Sequence, residues 1–193
     1  MPLSISEIHR RFIEYVENPM QFLDMSSLEE FDEGRCLIKV KTLEEHLEIY
    51  KVGSGARAKV YDIGNNRVLK VTSPGKRDHA YEAYVEACKA NPSNPHFPKI
   101  FYTGTWANHR VFVLEKLLNL PDNSRHMVAD FVQDAARGYT TSPDPMLNPA
   151  MFGPTMIEAC TIIRSLNRPL DLHAQNIMMR EDSTLVITDP VID

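Results

Sequence analysis

The spacing of apolar and polar positions divides the chain into helix-like and strand-like stretches. Between residues 4 and 17, Ile8, Phe12, Tyr15 and Val16 form one stripe at helical spacing, and Asn18-Pro19 would end that helix. A second helical piece is expected over 20–31, closed by Asp32-Glu33-Gly34, with a short strand at 37–40. Thr42 followed by Glu45 has the spacing of a capping box and predicts a short helix over 42–50. Strand signals then take over on either side of Gly53-Ser54-Gly55. Two more strands, 60–63 and 67–71, flank Gly64-Asn65-Asn66, a strong hairpin signal.

A helix is expected over 79–89, then a proline-containing loop, then a strand pair at 99–104 and 110–115 across Ala107-Asn108-His109. Leu120-Pro121-Asp122 opens a helix through Met127, Phe131 and Ala135 that Gly138 ends. Residues 140–149, with three prolines, read as a loop. The next helix, from Pro154 or Thr155 to Leu166, is expected to turn Ile157, Cys160, Thr161 and Ile163 inward. Finally, 176–179 and 184–188 are short apolar strands around the polar turn Arg180-Glu181-Asp182-Ser183, a candidate hairpin.

Composition narrows the class. With 193 residues, 43% apolar and 24% charged, the chain is expected to be one soluble domain, or one domain with a short extension. A net charge of −5 argues against nucleic acid or an acidic membrane as partner. Cys36, Cys88 and Cys160 are odd in number and widely spaced, which points to a reduced cytoplasmic setting without disulfides or a zinc site. The first residues lack a signal pattern, and no apolar run approaches bilayer length.

Candidate chemistry concentrates near the last hairpin. A hairpin holds its two ends together, so Asn176 at its start and Asp189 at its finish should converge. An amide and a carboxylate oxygen meeting at one point suit Mg²⁺, a hard ion that completes its shell with phosphate. Asp171, just upstream, would reach a substrate hydroxyl beside that metal. His173 in the same loop would contact phosphate or substrate, or be a hydrogen-bonded structural histidine. Earlier in the chain, Gly53-x-Gly55-x-x-Ala58-x-Val60 is a small-residue turn that lets backbone N–H groups approach phosphates. Lys70 stands in a strand between apolar neighbours, either exposed or aimed at a nucleotide.

These motifs resemble those of protein-kinase-like phosphotransferases, which carry Asp-x-x-x-x-Asn in the catalytic loop and a metal-binding Asp after the next hairpin. The wording Asp-x-His-x-x-Asn-Ile-Met followed by Ile-Thr-Asp-Pro-Val is similar to the small serine/threonine kinases made early in infection by podophages. The chain departs from the kinase pattern in three places. Pro169-Leu170 stands for His-Arg, Asp189-Pro190-Val191 for Asp-Phe-Gly, and Ala58 for the third glycine.

The resemblance, over roughly residues 50–191, implies a two-lobed α+β kinase-like fold. Residues 1–50 would be a helical extension, 51–117 the small lobe with an antiparallel sheet, and 118–193 a reduced C-terminal lobe. ATP and Mg²⁺ would be the cofactors. Gly53, Ser54 and Gly55 would cradle phosphates, Val60 would lie on the adenine, and Lys70 would contact the α- and β-phosphates. Glu82, or else Glu86 four positions on, would pair with Lys70. Leu114 would be the gatekeeper, with Glu115 and Leu117 as hinge residues. Asp171 would take the hydroxyl proton, and Asn176 and Asp189 would hold the metal.

Host proteins, and the enzyme itself, would be substrates in a host bacterial cytoplasm. Four residues follow Asp189 where a usual protein kinase continues into its peptide platform, so either residues 140–149 or the first helices would recognise substrate, or the sequence is a fragment, or peptide phosphorylation is not the task. The alternatives are a small-molecule phosphotransferase and a kinase-like module that inhibits a host protein without catalysis.

Overall fold

The computed structural model describes residues 23–30, 34–40, 45–73, 78–106, 109–138 and 153–193. The expectations at 4–17, for the 140–149 loop and for the turn residues Ala107 and Asn108 lie outside them. The chain divides into two compact units, one of residues 1–77 and 100–116, the other of residues 78–99 and 117–193. The architecture is α+β, and among the described residues no helix is long and apolar enough to cross a membrane.

The first unit is a curled antiparallel sheet of seven strands. They are β1 (Leu23–Glu30), β2 (Arg35–Val40), β3 (Glu45–Ser54), β4 (Ala58–Gly64), β5 (Arg67–Thr72), β6 (Ile100–Trp106) and β7 (His109–Glu115), in the order β1-β2-β3-β4-β5-β7-β6. Two expectations are corrected here. Residues 23–30 are a strand and not part of a helix over 20–31, and 45–54 form one ten-residue strand in place of the helix over 42–50. The glutamates of that segment favour helix weakly. Pairing of β3 with β2 on one side and β4 on the other satisfies both edges of its backbone and outweighs that preference. Within the helical extension expected over 1–50, Leu23–Glu30, Arg35–Val40 and the start of Glu45–Ser54 therefore belong to the sheet.

Because successive side chains alternate between faces, the curl encloses one set of residues. Leu23, Cys36, Ile38, Ile49, Tyr61, Ile63, Leu69, Val71, Val111 and Val113 form its core. The β4–β5 hairpin turns on Asn65 and Asn66, both left-handed (φ 51° and 55°), which matches the strand twist as the Gly64-Asn65-Asn66 signal predicts. At the end of β7 the Lys116 N–H donates to Asn66 O (2.8 Å), and the Lys116 ammonium meets Asp62 at 2.6 Å.

Among its described residues the second unit holds three helices, α1 (His79–Ala90), α2 (Arg125–Arg137) and α3 (Pro154–Ser165), and a small sheet of β8 (Leu118–Asn119), β9 (Ile177–Met179) and β10 (Leu185–Ile187) in the order β10-β9-β8. α2 ends at Gly138, whose φ of +88° and N–H to Ala135 O make the expected left-handed cap. α3 turns Met156, Ala159, Cys160 and Ile163 inward, a clean i, i+3, i+4, i+7 stripe. Ile157 and Thr161, expected inside, are exposed because they fall about a quarter-turn off that stripe.

α1 and the loop after it are fastened to the hairpin. The Tyr84 hydroxyl donates to Ile187 O, and Tyr84 meets Phe97 edge-on with ring centroids 5.9 Å apart. Arg180 donates to the Pro95 and Phe97 carbonyls. His96 is buried with its ring nitrogens on Leu185 O (2.8 Å) and Thr155 Oγ1 (3.1 Å).

Candidate functional site

The β9–β10 hairpin has the register that brings Asn176 and Asp189 together. Ile177 lies opposite Ile187, and the Thr188 N–H donates to Asn176 O at 2.8 Å, so the residue before β9 and the residues after β10 run side by side. On the other flank the Asp171 N–H donates to Pro190 O (2.7 Å), Leu170 bridges Val191, and the Ile192 N–H donates to Pro169 O (3.0 Å). Backbone hydrogen bonds thus hold the Asp171 and Asp189 segments together from one side and Asn176 from the other. The backbones at the two ends of the hairpin therefore lie side by side.

Side chains refine this frame. A single 3₁₀ turn, Ala174–Asn176, carries the chain from the loop into β9, and the His173 ring accepts the Gln175 N–H at 3.2 Å. The Asn176 Nδ2 donates to Asp171 O at 2.6 Å and lies 3.4 Å from Asp171 Oδ2. With the amide nitrogen so engaged, Oδ1 is the atom of Asn176 left to face a cation. His173 Nε2 lies 3.1 Å from the same amide nitrogen and 3.8 Å from Asp171 Oδ2. His173 is exposed, so of its alternatives the ring belongs to the loop's surface network and not to a buried core.

Asp189 is half-buried beside α1. Burial first, and then the Asp189 charge, push the Tyr81 hydroxyl well above its ordinary range. Nothing local in the sequence singles out Tyr81, because no short-range signal links a helix position to a carboxylate more than a hundred residues away. Among the described residues no three or more His, Cys, Asp or Glu cluster as a metal site. Asn176 and Asp189 supply two oxygens, a set suited to a hard ion whose other ligands come from phosphate and water.

The sheet unit carries the second group. Val60, Lys70 and Phe112 are direct cross-strand partners, so they share a face, and Leu114 lies on that face opposite Val68. Leu69 and Val71, flanking Lys70, point the other way into the core. Lys70 is 9% exposed, against the alternative of a solvated strand lysine. A cavity of about 400 Å³, lined by Lys59, Tyr61, Val71 and Trp106 among others, opens on the core face and does not include Lys70 or Val60.

Gly53 pairs with Val60 and Ser54 with Lys59, and the Gly55 N–H closes the turn on Ala58 O at 2.9 Å. Neither glycine has a positive φ, and a Cβ on either would meet nothing closer than 3.5 Å. The turn itself therefore does not require glycine. What the missing side chains leave is backbone open to approach from outside.

Glu115 is buried at the end of β7, opposite Arg67, and Leu117 begins the return to the second unit. The two glutamates of α1 differ. Glu86 is exposed and binds Lys89 at 2.9 Å, whereas Glu82, in the first turn, is half-buried. α1 clusters with the hairpin unit, so Glu82 and Lys70 belong to different compact units.

Neither a protein-family model nor a curated protein matches this sequence.

Proposed function

We propose that the chain is an ATP-dependent serine/threonine protein kinase of phage type. It would transfer the γ-phosphate of Mg-ATP to hydroxyls of host proteins, and to itself, in a bacterial host cytoplasm. The seven-stranded unit would correspond to the small lobe of a kinase fold and the hairpin unit to a reduced C-terminal lobe. The observation that carries this reading is the backbone clamp joining Asp171, Asn176 and the Asp189 segment. On this reading the clamp would hold one base and two metal-directed oxygens in the order that phosphoryl transfer uses.

Phosphoryl transfer needs positioning and charge neutralisation more than covalent chemistry. Asp171 accepts the proton of the Ser or Thr hydroxyl as its oxygen attacks the γ-phosphorus and the bond to the β-phosphate oxygen breaks. Lys70 balances charge on the α- and β-phosphates, and the Gly53–Gly55 backbone donates N–H groups to them. Asn176 Oδ1 and the Asp189 carboxylate would hold Mg²⁺, which would supply the remaining neutralisation when bound. Glu82 would orient Lys70. Val60 and Leu114 flank the adenine, while the backbones of Glu115 and Leu117 read its edge.

The test is label transfer from γ-labelled ATP, together with a thermal shift in ATP and Mg²⁺. Wild type should be stabilised by nucleotide and phosphorylate protein. Asp189→Asn and Lys70→Ala should abolish transfer, and Asp171→Asn should keep nucleotide binding while losing transfer. A shift without protein phosphorylation favours a small-molecule acceptor. No shift favours a binding module, and full activity in Asp189→Asn defeats the reading.

A further inference from the structure

The first turn of α1 is held from two directions. A helix begins with N–H groups that lack partners within it. Here Asp78 accepts the Tyr81 N–H on Oδ1 (3.0 Å) and the Glu82 N–H on its carbonyl (2.9 Å). The two N–H groups beyond its reach go to a residue over a hundred positions away. His79 N–H donates to Asp193 Oδ2 at 2.8 Å, and Ala80 N–H to Asp193 Oδ1 at 2.9 Å. The same carboxylate lies 3.6 Å from the Arg168 guanidinium, three residues before Asp171.

Residues 189–193 are therefore stitched on one side to 168–171, through Asp171–Pro190, Leu170–Val191, Ile192–Pro169 and Arg168–Asp193, and on the other to α1. The turn that Asp193 caps carries Tyr81 and Glu82. A carboxylate suits this place because its two oxygens satisfy two N–H groups at once and its charge complements the positive end of the helix.

We infer that Asp193 is a positioning residue: its carboxylate couples the first turn of α1 to the catalytic loop, and so fixes Asp189 and Glu82 relative to Asp171. This rests on the phosphotransferase reading above. Asp193 touches neither nucleotide nor hydroxyl; it acts through the segment and the helix that it joins. Loosening it leaves the Gly53–Gly55 turn untouched, since that turn belongs to the other unit.

Steady-state autophosphorylation of the full chain, with hydrogen exchange at His79 and Ala80, tests this. Asp193→Ala should lower kcat by about tenfold, because small misplacements of reacting groups are costly, with KM for ATP within about twofold. Exchange at both amides should rise. Asp193→Glu should recover most of kcat and protection. Asp193→Asn, near-isosteric and safe for folding, should recover only part, because its amide offers one acceptor oxygen to two donors. A wild-type rate in Asp193→Ala overturns the inference alone, as does a lost rate that Asp193→Glu fails to restore. Absence of label transfer by wild type defeats the functional reading, and this inference with it.

Discussion

The backbone N–H of Asp171 donates to the carbonyl oxygen of Pro190 at 2.7 Å. That bond sets the candidate base beside the residue following the candidate metal carboxylate, and neither side chain takes part in it. Backbone groups thus hold the frame while side chains supply the chemistry. Substitutions at Asp171 or Asp189 should accordingly change activity without dismantling the site.

Asn176 is different, because its side chain is structural as well as a proposed metal ligand. Asn176→Asp removes the donor to Asp171 O and adds a charge where Asp171 Oδ2 is 3.4 Å away. Losing that bond should cost about 1–3 kcal/mol in urea denaturation. Label transfer should fall on the order of a hundredfold, given the sensitivity of transfer to misplacement. Unchanged denaturation would show that the amide does not hold the loop.

Neighbouring positions on β5 should respond in opposite ways. Leu69→Ala empties a fully buried core position and should destabilise by about 2–5 kcal/mol. Lys70→Met keeps the apolar stem on the other face and should change stability by no more than about 1 kcal/mol. It should nevertheless eliminate label transfer. Denaturation curves and transfer assays on the two variants check the alternation directly.

Acid should weaken the second unit through His96. Burial, the largest cause, lowers its pKa from the ordinary 6.5. Between the lowered value and 6.5 the unfolded chain binds the proton and the folded chain does not, so stability rises with pH there. His96 therefore leaves stability undiminished above 6.5, and stability falls as the pH drops below it toward the folded value. Thermal scans from pH 7.5 to about 5 should show Tm falling in wild type, and His96→Asn should flatten that part of the slope.

The three cysteines should be inert in the native state. Burial pushes the Cys88 and Cys160 thiols up to about 12, and it raises Cys36 against the opposing pull of Lys59. Since the thiolate is the reactive form, iodoacetamide at pH 8 should label none of them until urea is added. Mass spectrometry of folded and unfolded samples would show this, and early labelling of Cys88 would contradict its burial in α1.

Where a few adjacent residues decide a conformation, the sequence was readable. Gly64-Asn65-Asn66 specifies its hairpin through left-handed turn residues, Gly138 stops α2, and the apolar runs around Arg180-Glu181-Asp182-Ser183 specify the hairpin that brings Asn176 to Asp189. Residues 20–31 and 42–50 looked helical because their composition suits a helix. Within them Leu23–Glu30 and Glu45–Ser54 are β1 and β3, because neighbouring strands were there to pair with them. The inward face of α3 was misjudged by a fraction of a turn, since Ile157 and Thr161 fit a helix as well as Met156 and Ala159 do. Only packing against α2 chose between the stripes.

Taken by itself, then, the chain's order of residues determined the Asp171-to-Asn176 spacing, the turns and most of the element types, because those depend on short-range backbone preferences. Tertiary structure alone decided that Lys70 lies opposite the core, that Glu86 is bound to Lys89 at the surface while Glu82 is half-buried, and that Asp193 caps a helix over a hundred residues away. Those outcomes rest on register and long-range hydrogen bonds, whose partners are set by the folded backbone and leave no trace in neighbouring sequence.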